Sequence, residues 1–122
     1  KRYINIGSYE ESNKFFKNNK MIKKISEESR KYEGIIMLFG SYAKGTQKKQ
    51  SDIDILVIND DGKKDLSFTK YETIFNIDIN PIFITKEEYV LMLKESEENL
   101  GKQALKNHIL FNNFNSFWEI VI

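Results

Sequence analysis

The chain reads as an α/β (α+β) protein, a small mixed β-sheet backed by helices packed on one face. Three observations predict this. Ile35–Phe39 and Ile53–Ile58 are short apolar runs bounded by glycine or polar turn residues, the pattern of strands buried on both faces. Ser8-Tyr9-Glu10-Glu11 and Thr85-Lys86-Glu87-Glu88 have capping-box spacing and so open helices on either side of those runs. The element order is short strand, helix, three strands and two helices, with no repeat, low-complexity tract or Pro/Gly-rich linker to divide it.

Taken in order, Arg2–Ile6 (R-Y-I-N-I) alternates weakly and is expected to be a short strand. A helix capped by Ser8 then runs to about Tyr32, with Phe15, Ile22 and Ile25 at roughly helical spacing and Glu33-Gly34 as its stop. Ile35–Phe39 is the central strand. Gly40–Gln50 is a turn with a short helical piece, then a polar loop. Ile53–Ile58 is the second strand, and Asn59-Asp60-Asp61-Gly62 turns the chain. Phe68–Ile84 is expected to be mostly strand, in one or two pieces. Pro81 puts it at a sheet edge, since proline has no N–H to give to a ladder. The Thr85 helix ends near Gly101 and a second helical stretch follows. His108–Phe111 is extended, Asn112-Asn113 is a turn, and Ser116–Ile122 is helical.

At 122 residues and 40% hydrophobic composition the chain is expected to form one domain, residues 1–122. A net charge of +1 gives no support to a polynucleotide binder. The Lys-rich stretch Lys14–Lys24 is flanked by Glu10, Glu11, Glu27 and Glu28, so it reads as the wet face of a helix rather than a phosphate-tracking stripe. No cysteine is present, which excludes disulfides and thiolate metal sites. No apolar run approaches the ~20 residues a membrane helix needs, and no signal peptide is read; the expected compartment is the cytoplasm. A chain that starts at Lys1 rather than Met is expected to be a fragment or processed product, and K-R-Y-I-N-I-G is compatible with the tail of a preceding regulatory domain such as a winged helix.

The chemistry is concentrated in Leu38–Val57. Asp52 and Asp54 are two apart in a strand, so they share one face while Ile53, Ile55 and Val57 face the core. Two ionised carboxylates so placed repel and raise one another's pKa. A divalent cation reverses that cost, and Mg2+ is commonly held by one or two carboxylates plus substrate phosphates. In Phe75–Asn80 the alternation puts Asp78 on the face of Asn76 and Asn80, where it is expected to join the pair. Three carboxylates can hold two metals about 3.5–4 Å apart for in-line displacement at phosphorus. Gly40 permits a sharp turn, and Ser41 opens a helical turn whose N–H groups and hydroxyl favour an anion. Lys44, Lys48 and Lys49 offer positive charge nearby, Lys44 closest to the bend. The one histidine, His108, reads as structural, and Phe114, Phe117 and Trp118 as closing the core.

The stretch G-S-Y-A-K-G-T-Q-K-K-Q-S-D-I-D-I resembles the G-S-x10-D-x-D signature of the DNA polymerase beta-like nucleotidyltransferases, most closely the minimal nucleotidyltransferases of bacteria and archaea. Gly45 and Ser51 also match. With the strand order and Asp78 the resemblance extends over Ile35–Ile84. It implies a polymerase beta-like fold and transfer of a nucleoside monophosphate from ATP or another NTP to an acceptor hydroxyl. It further implies two Mg2+ ions on Asp52, Asp54 and Asp78, with Gly40, Ser41 and Lys44 binding nucleotide. Small members of the family pair with HEPN-type toxins, modify a tyrosine on them with AMP, and serve as antitoxins; others modify aminoglycosides or nucleic-acid ends. The shortness of the chain favours a protein acceptor. The rival expectation is a regulatory module that binds Mg-nucleotide or a partner without catalysis.

Overall fold

In the computed structural model, residues 2–121 are described, with side chains from residue 8 onward. Helix α1 spans Arg2–Asn18, so the strand expected at Arg2–Ile6 is helical instead. Ser8 is therefore inside a helix, where its Oγ accepts a hydrogen bond from Trp118 Nε1 at 2.7 Å rather than capping. The expected continuous helix breaks at Asn19, whose Nδ2 donates to the Phe15 carbonyl. Helix α2 (Lys20–Ser26) and a 3-10 turn (Glu27–Ser29) complete this arm.

Strand β1 (Ile35–Phe39) is followed directly by α3 (Gly40–Lys44) and, after the polar loop, by β2 (Ile53–Asn59). Residues expected to begin a third strand form α4 (Thr69–Phe75), and β3 is confined to Ile79–Thr85. Phe68, Tyr71 and Phe75 explain the difference. They recur at helical rather than alternating spacing, and the Tyr71 and Phe75 rings stack one turn apart. The chain continues through α5 (Lys86–Lys94), α6 (Leu100–Lys106), β4 (Ile109–Leu110) and α7 (Phe114–Val121). The Thr85–Glu88 capping box forms in full. Gly101 lies inside α6 rather than ending a helix, because a Cβ there would stand 2.7 Å from Met92 Cβ; the glycine lets α5 and α6 approach.

The sheet order is β3-β2-β1-β4. β1 is antiparallel to β2 and β4, and β2 is parallel to β3, so the sheet is mixed and β3 is an edge, as Pro81 predicts. Helices cover both faces, not one. Ile36, Leu38, Ile53, Ile55 and Val57 pack with Ile22, Ile25 and Tyr71. Met37, Phe39, Leu56 and Ile58 pack with Tyr89, Ala104 and Phe117. Strands buried on both sides are what continuous apolar runs require. Asp52 and Asp54 stand on the second face, at the N-terminal end of β2, beyond the cluster built on α5, α6 and α7. No helix among the described residues is long and apolar enough to cross a membrane.

Candidate functional site

The turn from β1 into α3 brings two halves of the sequence motif together. Phe39, the last residue of β1, pairs with Asp54 of β2. Gly40 follows with φ +75°, a left-handed conformation that a side chain opposes. A Cβ at Gly40 would overlap Asp54 Oδ2 and stand 3.2 Å from Asp54 Cβ and Cγ. The bend therefore rests against the carboxylate, and only glycine leaves it room. α3 ends at Gly45, whose N–H and that of Thr46 return to the Ser41 carbonyl. Ser41 is half-buried at the start of this turn and Lys44 is exposed at its end.

Asp52 is exposed and Asp54 half-buried. On β3 the register sets Asn80 beside Asp54, and Asn80 Nδ2 donates to Asp52 Oδ2 at 3.0 Å. Burial raises the Asp54 carboxyl above the ordinary aspartate range; the Asn80 amide lowers it, and the charge of Asp52 raises it further. Oxygen donors from Asp52, Asp54 and Asn80, with no nitrogen or sulfur ligand among them, suit a hard divalent cation such as Mg2+.

Asp78 is placed differently from the expectation. It lies just before β3, exposed, and its carbonyl accepts the Ile53 N–H at 2.9 Å. Its side chain borders an open cleft of ≈ 780 Å³, together with Lys49, Ser51, Asp52 and Glu72, which Gly40, Ser41, Lys44 and Asp54 do not line. Among the described residues no three Asp, Glu or His side chains come together as a metal-holding group. Asp78 thus shares a cleft with Asp52 but precedes β3 instead of lying within a strand, while Asp54 stands at the Gly40 bend beside Asn80. The reason is local. α4 takes the chain through Phe75, and Asn76 turns it at φ +51°. The strand therefore starts only at Ile79, whose N–H is held by Glu72 Oε2 at 3.0 Å.

A family model described as a nucleotidyltransferase domain matches residues 13–120. The chain belongs to the nucleotidyltransferase domain family. No curated protein matches it. Solved structures that resemble it include a toxin-antitoxin with AMP-PNP, 20% identical over 85% of this chain and 89% of that one, at a TM-score of 0.49. Another is a mutant of the toxin-antitoxin MntA-HpeT, 18% identical over 82% of this chain and 86% of that one, at a TM-score of 0.47.

In this nucleotidyltransferase domain His108 stands apart from the motif. Its Nδ1 lies 3.0 Å from the Ala104 and Leu105 carbonyls, its ring packs 4.9 Å from that of Phe117, and burial lowers its pKa. Asn80 and Glu72 are the site residues that sequence reasoning missed. Asn80 was visible as a polar position on the face of Asp78, but its partnership with Asp54 depends on the β2–β3 register.

Proposed function

We propose that this nucleotidyltransferase domain transfers AMP from ATP to an acceptor hydroxyl, and that the acceptor is a tyrosine of a HEPN-type partner protein. The acceptor oxygen forms a bond to the α-phosphorus, the α–β bridging bond breaks, pyrophosphate leaves, and the acceptor proton passes to a base or solvent. The observation that carries the reading is the closeness of the Gly40 bend to Asp54, which supports the Gly40–Ser41 turn as the element that would bind phosphate next to the carboxylate pair. Ser41 Oγ and the first N–H groups of α3 supply donors for the terminal phosphates, and Lys44 adds charge at the end of the same turn. Asp52 and Asp54 would hold Mg2+, which when bound neutralises charge on the phosphates and lowers the pKa of the attacking hydroxyl. Asp78, at the cleft beside Asp52, would act on the acceptor side. The partner and the base rest on the family resemblance of the motif.

The test is incubation of the protein with labelled ATP, Mg2+ and lysate. Transfer of label to a protein is expected, falling about 10²–10³-fold in Asp52→Ala and in Asp54→Ala. Label that persists undiminished in both variants refutes the assignment. A second reading, Mg-nucleotide binding without transfer, is favoured by the lack of a three-carboxylate group among the described residues. Calorimetric ATP binding with no transfer to any lysate component would select it.

A further inference from the structure

We infer that a short extended peptide of the acceptor protein docks along the outer edge of β3. It places an apolar side chain in the groove between that edge and the segment leading into α4, and so delivers its hydroxyl to the cleft at Asp52 and Asp78. The inference rests on the reading of the protein as a transferase with a protein acceptor.

β3 is a sheet edge, and successive residues of a strand turn their backbone groups to opposite sides. Ile53 N–H bonds the Asp78 carbonyl, so in this parallel register Asn80, Ile82 and Ile84 face β2, while Ile79, Pro81, Phe83 and Thr85 face outward. Ile79 N–H is taken by Glu72 Oε2 at 3.0 Å and Thr85 N–H by Glu88 Oε1 at 2.9 Å. Proline has no N–H to give. Among the described residues, the Phe83 N–H alone of these outward positions is left without a partner. An edge blocked in this way resists pairing with a full strand but still accepts one carbonyl at Phe83. The same stretch lines a groove of ≈ 370 Å³, where Pro81 and Phe83 face Leu66 and Phe68. Thr69 and Glu72 line both this groove and the cleft that holds Asp52 and Asp78, so the two are continuous. A main-chain donor beside an apolar slot fits an extended peptide, whereas a polyhydroxylated or polycationic small acceptor has nothing apolar to place there. The charges facing the segment are Lys64 and Glu72 in the groove and Lys49, Asp52, Glu72 and Asp78 in the cleft, which favours a basic residue next to the hydroxyl. From Phe83 back to Asp78 the chain runs about 16 Å at roughly 3.3 Å per residue, so the hydroxyl belongs about three to five positions from the apolar anchor.

The probe is a library of short peptides with a fixed central tyrosine and every other position scanned, incubated with the full chain, Mg2+ and labelled ATP. Selection of a large apolar residue about three to five positions from the tyrosine is expected. Leu66→Asp should raise the KM for the selected peptide about tenfold or more and leave the KM for ATP as in the parent. Phe83→Pro removes the free N–H without touching the ladder to β2, and Phe83→Val controls for the lost ring. Transfer to the peptide by Phe83→Pro should fall several-fold below that by Phe83→Val, as loss of one hydrogen bond does. Circular-dichroism melts confirm that the variants are folded. Absence of apolar selection at those positions, an unchanged peptide KM in Leu66→Asp, or equal transfer by Phe83→Pro and Phe83→Val would overturn the inference. A matching rise in the KM for ATP would also overturn it, because the groove would then serve the nucleotide. A parent that labels a lysate protein but no peptide ends this inference and leaves the transferase reading standing. A parent that labels neither ends both.

Discussion

Gly40→Ala probes the contact on which the site depends. The substitution carries two costs. At φ +75° an L-residue is strained by about 1–2 kcal/mol. The new methyl also collides with Asp54 Oδ2 and crowds Cβ and Cγ at 3.2 Å, so the carboxylate must rotate or the bend must move. Overpacking of this kind costs about 1–3 kcal/mol. Gly45→Ala isolates the first cost, because Gly45 has φ +77° but nothing within 4 Å of a Cβ. For a chain of 122 residues, an unfolding entropy of about 2.1 cal/mol/K per residue means that each kcal/mol lowers Tm by roughly 4 °C. Gly45→Ala should therefore lower Tm by about 4–8 °C and Gly40→Ala by about 8–20 °C. In an Asp54→Ala background the colliding oxygen is gone, and the cost of Gly40→Ala should drop toward that of Gly45→Ala. Calorimetric melts of the two glycine variants and of the four members of the Gly40/Asp54 cycle measure each quantity. Equal losses for the two glycine variants, or an undiminished loss for Gly40→Ala in the Asp54→Ala background, would refute the reasoning.

Asp54→Asn should raise stability at neutral pH without divalent ions. The folded carboxyl titrates above its ordinary 3.8 because burial, with a smaller push from the charge of Asp52, outweighs the lowering by the Asn80 amide. Ionising it costs the folded state free energy that grows as pH rises from 3.8 and is fully present above the folded value. The melting temperatures of parent and variant should thus converge below that pH and separate above it; a gap constant with pH contradicts the assignment. Tyr89→Phe should stabilise the protein by about 1 kcal/mol, or roughly 4 °C. Tyr89 is fully buried and its hydroxyl has no hydrogen-bond partner among the described residues. A lower melting temperature would show that the hydroxyl has one.

The strands Ile35–Phe39 and Ile53–Ile58, the Thr85 cap and the Gly40–Asp54 motif are legible because each is local. An apolar run, a cap spacing or a glycine bend declares itself within a few residues. Phe68–Ile84 misled because its aromatic residues carry a helical period that a strand reading of the following alternation hid. Arg2–Ile6 misled because five weakly alternating residues do not decide between strand and the first turns of a helix.

By itself the sequence determined the chemistry available: a glycine-serine bend, two carboxylates on one face of a strand, no cysteine, and enough apolar surface to bury a mixed sheet. Only the tertiary structure decided which side chain stands beside Asp54. That choice depends on where β3 begins and how it pairs with β2, and a shift of one residue would exchange the two faces of the strand. Pairing between segments distant along the chain, rather than any local preference, placed Asn80 at the carboxylates and Asp78 in one cleft with Asp52.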